Sequence, residues 1–247
     1  MNAEYDAIAA EYDITFQALP YRRFIEEWSV LQALGAVEGR AVLELACGTG
    51  HYARRLRQRG ASRVVGVDLS PEMIAVAQAQ EAQAPRAIDY HVHDVATLSL
   101  DETFDDALAV YLLHYAADQA QLDAMAGAIA RHLRPGGRFI TYQLSPDLPA
   151  QGDYYEAYGL RLNLPETLSD GQAFSFMVLM GGAWTPPLTI HYWSRAAISG
   201  ALERAGLTNI QWAASTLNPQ GRDPQNPDHW QPYLDLPYCM VLSASRA

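Results

Sequence analysis

The chain has 247 residues, of which 49% are hydrophobic and 18% charged; this excludes a disordered chain and suits one large domain, or a core domain carrying an inserted cap. A formal net charge of -11 argues against nucleic acid as a partner, and no apolar run approaches the length of a bilayer span. The two cysteines, Cys47 and Cys239, lie far apart without zinc spacing and the opening Met1-Asn-Ala-Glu-Tyr-Asp6 is no signal peptide, so a soluble cytoplasmic protein without disulfides or metal is expected.

The spacing of Ala, Glu, Leu and Ile predicts helix from Tyr5 to Leu34, with Asn2 or Asp6 as cap and Pro20 dividing a short helix from a longer one. Gly35 and Gly39 then lead into strand Val42–Leu45. A helix His51–Gly60 follows, carrying Arg54, Arg55, Arg57 and Arg59, and then strand Val64–Val67. Ser70-Pro71-Glu72 is a helix start, with Ser as cap and Pro in the first turn, and that helix runs through Met73, Ile74, Ala77 and Gln80 to stop before Pro85. Strand Ile88–Val92 ends at His93-Asp94. Phe104 to Leu112 reads as the fourth strand and Gln119–Leu133 as an amphipathic helix. Leu133-Arg-Pro-Gly-Gly137 ends that helix before strand Arg138–Leu144.

The alternation then breaks. Residues 146–193 are rich in Gly, Pro and aromatics, with short strands at Phe174–Met180 and Leu188–Trp193. Ser194 caps a helix Arg195–Ala205 ended by Gly206, and Asn209–Ala214 and Cys239–Ala244 are final strands. Apolar strands alternating with helices predict an α/β fold, a doubly wound, mostly parallel sheet covered on both faces. The domains expected are an N-terminal helical lid at 1–38, a core at 39–145 and 194–247, and a cap insertion at 146–193. In such sheets ligands bind beyond the C-terminal strand ends, where Glu44, Asp68, Asp94 and Tyr111 converge.

Val42-Leu-Glu-Leu-Ala-Cys-Gly-Thr-Gly50 is a buried strand running into a glycine turn, and Arg63-Val-Val-Gly-Val-Asp68 is a second strand ending in a carboxylate. That layout suits a nucleoside-bearing cofactor: the glycines admit the ligand to the backbone and the second acid accepts from ribose hydroxyls. The dinucleotide fingerprint would place glycines at Ala46, Gly48 and His51, so its third glycine is missing. The chain also has no lysine, which rules out a Tyr-x-x-x-Lys pair and weakens a nicotinamide-dependent oxidoreductase. Glu44 could anchor water or a cofactor ammonium, and Asp94 could accept from an adenine amino group. Both features favour S-adenosylmethionine.

The set Glu44-x-Ala46-x-Gly48-x-Gly50, Asp68 and His93-Asp94-Val95 resembles the class I S-adenosylmethionine-dependent methyltransferases over residues 40 to 145, with Ala46 in place of the first glycine. The resemblance implies a Rossmann-like core with an antiparallel last strand and lid helices closing over the cofactor, with S-adenosylhomocysteine as product. Tyr5-Asp-Ala-Ile-Ala-Ala-Glu-Tyr12, Tyr111-Leu-Leu-His-Tyr115, Glu156-Ala-Tyr-Gly159 and Tyr192-Trp-Ser-Arg195 are similar to a bacterial group that includes the toxoflavin-biosynthesis N-methyltransferase. This implies methylation of ring nitrogens of small heterocycles in specialised metabolism. His114 stands where that pattern has Asn, and the cap is its least similar part.

Each candidate residue has a plainer alternative. Gly48 and Gly50 either meet the cofactor or only turn the chain. Asp68 holds the ribose or caps a helix, a role Ser70 already fills, and Leu69 and Met73 would then border the nucleoside. Asp94, with His93 and Val95, meets adenine or is a solvated loop acid. In the lid, Tyr12 and Arg22 (with Arg23) either reach the cofactor or form core and exposed helix face. Tyr111 and Tyr115 flank His114 at the position nearest the transferring methyl. His114 is a base or a backbone-bonded bystander, and His191 is a second base candidate. Tyr5, Tyr115, Tyr158, Trp184 and Trp193 offer flat surfaces to a planar acceptor, unless they are core.

The reading is direct transfer to a small planar acceptor by a monomer or homodimer with no nucleic-acid, membrane or metal partner. N-methylation is favoured, with O-methylation of a phenol as the alternative. A non-catalytic S-adenosyl-ligand-binding protein is the rival of another class.

Overall fold

Val42, Leu43 and Leu45 are buried on both faces of their strand, as befits the centre of a parallel sheet covered on both sides. The computed structural model places β1 (Ala41–Leu45) beside β2 (Arg63–Asp68) and β4 (Phe104–Val110), with β3 (Ile88–Val92), β5 (Leu133–Leu144), β10 (Leu207–Ala213) and β11 (Cys239–Arg246) completing a seven-stranded sheet. The order is β10-β11-β5-β4-β1-β2-β3, and β11 runs antiparallel to both its neighbours while the others pair in parallel. This is the Rossmann-like sheet with the antiparallel strand expected. The strand order reverses between β1 and β4, which opens a crevice above their C-terminal ends. The structure describes every residue except 1, 2, 7, 8, 10, 11, 13, 14 and 223. Asn2, one of the two expected caps, lies outside the described residues.

Alternate residues of each strand serve opposite faces. Val42, Val64 and Ile140 face a layer that includes α3 (Glu27–Leu34), α4 (His51–Gln58) and α5 (Pro71–Gln83); Leu43, Leu45, Val65 and Ala107 face α6 (Gln119–His132) and α7 (Arg195–Arg204). Ser70 caps α5 as expected, its hydroxyl accepting from the Met73 amide at 3.1 Å behind Pro71. Two strand boundaries differ from expectation. The fourth strand stops at Val110, because Tyr111 takes a left-handed φ of 65°. The fifth begins at Leu133, because Leu133 already pairs with Phe104 and the Gly136 turn only shifts the register.

The N-terminal region is more broken than periodicity suggests. It forms α1 (Ala3–Asp6), α2 (Thr15–Ala18) and a π-helical turn Arg22–Glu26 that runs into α3. Asp6 does not cap α1; its carboxylate accepts from the Ser70 hydroxyl and ties α1 to the start of α5.

Between β5 and α7 lies a second, antiparallel sheet of β6 (Leu160–Asn163), β7 (Ala173–Met180), β8 (Ala183–Trp184) and β9 (Leu188–His191). The sequence showed only β7 and β9. The two ends of this insertion meet, since Arg195 pairs with Asp147 at 2.5 Å and the Tyr192 hydroxyl donates to the Pro146 carbonyl at 3.0 Å. Its aromatic base rests on α8 (Gln231–Asp235) through Tyr155 and Tyr158 against Tyr233. No helix among the described residues is long and apolar enough to cross a membrane.

Candidate cofactor and acceptor site

The glycine turn after β1 is wound through left-handed backbone, with φ of 54° at Ala46, 53° at Gly48 and 80° at Gly50. A methyl group on Gly48 would meet only Tyr12, at 3.8 Å, so this side of the turn is open to a ligand. Gly50 serves packing instead. A Cβ there would lie 2.2 Å from the Tyr90 hydroxyl oxygen, and Gly50 is not on the cavity wall. Ala46 holds a conformation that disfavours a side chain by roughly 1–2 kcal/mol. Ala46→Gly is therefore expected to raise the stability to chemical denaturation by up to about 1 kcal/mol, the gain being reduced by the more flexible unfolded chain.

A cavity of about 320 Å³ opens above this turn. On one side stand Ala46, Gly48, Asp68, Leu69 and Met73, with Asp94 and Val95 beyond them. Asp68 accepts from the amides of Gly48 at 2.7 Å and Ser70 at 2.9 Å. A carboxylate has further lone pairs for ribose hydroxyls. Burial pushes its pKa up, against the pull of those amides. Leu69 is 40% exposed, an apolar surface beside the acid that suits a flat base. Asp94 caps the short 3-10 turn Val95–Thr97 through the Ala96 amide at 2.8 Å and also borders the cavity. The two acids, the open turn and the apolar wall fit a cationic nucleoside ligand.

Tyr5, Tyr12, Tyr111 and Tyr115 also line the cavity, joined by His191 from β9. The hydroxyls of Tyr5 and Tyr115 are hydrogen-bonded, which closes α1 over the end of β4. A smaller cavity of about 40 Å³ adjoins behind the same tyrosines and is bordered by Arg22 and His114.

Several expected contacts are placed elsewhere. Glu44 lies behind the turn: it is 2% exposed, its Oε2 has no hydrogen-bond partner among the described residues, and it is absent from the cavity wall. Arg22 is buried against Glu26, with Nε and Nη2 each 3.2 Å from a carboxylate oxygen, so its fork is already filled. His93 turns to the Asp94 carbonyl at 2.9 Å. Tyr158 donates to the His229 carbonyl at 2.7 Å and stacks on Trp230, and Trp193 is buried with its indole N–H on the Ala116 carbonyl at 3.0 Å; both are core. Trp184 lies on the β8 hairpin under the Arg161 guanidinium, 4.5 Å from its ring.

His114 is 1% exposed, and burial lowers its pKa to about 3 despite Gln143 beside it. The imidazole is neutral at physiological pH and a weak base, which weighs against His114 as the proton acceptor. An NMR titration of the histidines is expected to show no His114 transition between pH 5 and 8. His191 is the better placed of the two. It borders the large cavity, and its Nδ1 has no hydrogen-bond partner among the described residues.

Sequence reasoning missed Gln121 and Met125 of α6 and Thr189 of β9 on the wall. Gln121 and Met125 are one helical turn apart on one face, a spacing visible in the sequence but shared with every amphipathic helix. Glu26, which accepts from the Tyr111 hydroxyl, had no motif to reveal it.

Residues 42–137 match the family model described as a methyltransferase domain. The fold is shared with solved S-adenosylmethionine-dependent methyltransferases, and S-adenosylmethionine is the cofactor that the matched domain implies. A demethylmenaquinone methyltransferase from Clavibacter sepedonicus is 28% identical over 217 residues, 84% of this chain and 85% of that protein. An S-adenosylmethionine-dependent methyltransferase from Mesorhizobium loti has a TM-score of 0.61 at 24% identity, covering 89% of this chain and 97% of that one. S-adenosylmethionine-bound CalS10, an amino pentose methyltransferase from Micromonospora echinaspora involved in calicheamicin biosynthesis, has a TM-score of 0.57 at 19% identity, covering 85% and 84%.

Proposed function

We propose that the protein methylates a small, planar heterocyclic or aromatic acceptor, with a ring nitrogen as the favoured nucleophile. The observation that carries this reading is the single cavity running from the glycine turn and Asp68 to the wall of Tyr5, Tyr12, Tyr111 and Tyr115. The acid-lined half suits the cofactor, and the tyrosine-lined half suits a flat ring. Bound S-adenosylmethionine supplies an electrophilic methyl group on a sulfonium. The chain's own part is then alignment and exclusion of water. Asp68 and the open face of Gly48 hold the nucleoside, while α1 and β9 close over the acceptor half.

A ring nitrogen with a free lone pair needs no base, which agrees with a neutral, buried His114. The motifs shared with the toxoflavin-biosynthesis N-methyltransferase group support nitrogen as acceptor atom and specialised bacterial metabolism as setting. His191 favours a second reading: with an unpartnered Nδ1 on the cavity wall it could take the proton of a phenol, giving an O-methyltransferase. We place either enzyme in the cytoplasm as a monomer or homodimer.

Isothermal titration with S-adenosylhomocysteine, followed by a radiolabelled methyl-transfer screen of N-heterocycles and phenols, tests the proposal. Micromolar binding with transfer to a heterocycle is expected. Transfer confined to phenols, and lost in His191→Ala, would select the second reading. Binding without transfer to either class would overturn both.

A further inference from the structure

The Glu26 carboxylate is completely buried and gathers three elements at one point. Arg22 reaches both of its oxygens from the π-helical turn, at 3.2 Å each. Tyr52 of α4 donates to Oε1 at 3.0 Å, and Tyr111 donates to Oε2 at 2.5 Å. Neither cavity has Glu26 on its wall, yet Tyr111 borders both. Tyr111 is also the residue with left-handed backbone at the end of β4, a conformation a bulky side chain keeps only when its surroundings impose it. On the other side, Arg22 donates to the Thr15 hydroxyl and to the Tyr12 hydroxyl at 3.4 Å, and stacks on Phe16 at 3.7 Å. The turn that presents Arg22 and Glu26 is a π-helix, a local irregularity that recurs at functional sites.

We infer that Glu26 is a positioning residue for the cofactor site: through Tyr111 it fixes the wall at the end of β4, and through Arg22 it fixes Tyr12 of the lid over the glycine turn. Tyr12 lies within van der Waals reach of a methyl group on Gly48, so the lid and the turn define one opening. A carboxylate suits this task because it accepts several hydrogen bonds at once in a fixed plane, and charge-assisted bonds are the strong ones. The inference rests on the cofactor reading above.

The test compares two deletions of one hydroxyl from the same carboxylate. Tyr111→Phe removes the partner on the cavity side and Tyr52→Phe the partner on α4. With S-adenosylhomocysteine as probe, Tyr111→Phe is expected to weaken binding about tenfold and Tyr52→Phe to leave it within about twofold, at similar melting temperatures. Glu26→Gln should weaken binding at least as much as Tyr111→Phe, and the double variant should be no worse than the poorer single. If Glu26→Gln does not fold, the paired replacement Arg22→Met with Glu26→Leu takes its place, since a buried ion pair tolerates apolar exchange. Equal effects of the two phenylalanine variants on binding, small or large, would overturn the inference, and so would additive losses in the double variant. Failure of the unaltered protein to bind S-adenosylhomocysteine would overturn the cofactor reading itself, and this inference with it.

Discussion

Asp68→Ala is expected to weaken S-adenosylhomocysteine binding by at least about 100-fold while the protein stays folded. The carboxylate ends β2 on the cavity wall, with its oxygens held by the amides of Gly48 and Ser70. Two hydrogen bonds from ribose hydroxyls to a charged acceptor contribute roughly 1.5–3 kcal/mol each, and alanine removes both. It also releases the Gly48 amide and so loosens the turn that faces the ligand. Asp68→Asn keeps an acceptor oxygen and the side-chain volume, and its loss should be intermediate. Titration calorimetry with circular dichroism as the folding control checks both. Unchanged affinity in a folded Asp68→Ala would contradict the placement of the nucleoside against β2.

The second large effect concerns pH and stability. Burial raises the pKa of Glu44 to about 8, in spite of the Arg54 charge and the Ala53 amide that draw it down, and Asp68 adds to the rise. Cys47 and Tyr90 also face this site, and their own pKa values are raised, so they stay neutral across the range considered. In the unfolded chain a glutamate titrates near its ordinary value of about 4.3. Between these values the folded protein holds a proton that the unfolded chain has released. Stability therefore falls as pH rises through this window, the reverse of a salt-bridged carboxylate. The contribution lost between pH 5 and pH 8 is roughly 3 kcal/mol. Glu44→Gln keeps an acceptor for the Ala53 amide and removes the titration. Its advantage over the parent in urea denaturation should be about 1 kcal/mol at pH 5 and grow toward pH 8. An advantage independent of pH would contradict the assignment.

The cavity wall around the glycine turn was legible because its residues are local to the strand ends. Ala46, Gly48, Asp68, Leu69, Asp94 and Val95 come from strand ends and the turns after them, and Met73 from the first turn of α5, positions that the strand–turn pattern puts on the cavity. The same holds for the sheet, whose apolar strands could not be anything but buried. What stayed hidden depends on long-range partners. Arg22 was visible as a cation, but nothing local shows that Glu26 four residues later occupies it. Tyr158 and Trp193 have the composition of a binding surface, and only the positions of Trp230 and Ala116 turn them into core. His114 stayed open between base and bystander because a sequence carries no burial. Tyr111 read as strand because its left-handed backbone is imposed by its neighbours and not by its own preference.

The contact of Asp147 with Arg195 has a consequence for how this protein could diversify. The segment it brackets leaves β5 and returns into α7 at one place, so its two ends are held together beside the packing of its aromatic base on α8. Lengthening a loop between anchors already held together costs little, since closure entropy grows only with the logarithm of length. The strand pairings from β1 to β5 do not pass through the segment. Thr189 and His191 of the cavity wall are thus carried on one piece of the chain, and the glycine turn with Asp68 on another. A graft between Pro146 and Arg195 could retune one and leave the other untouched.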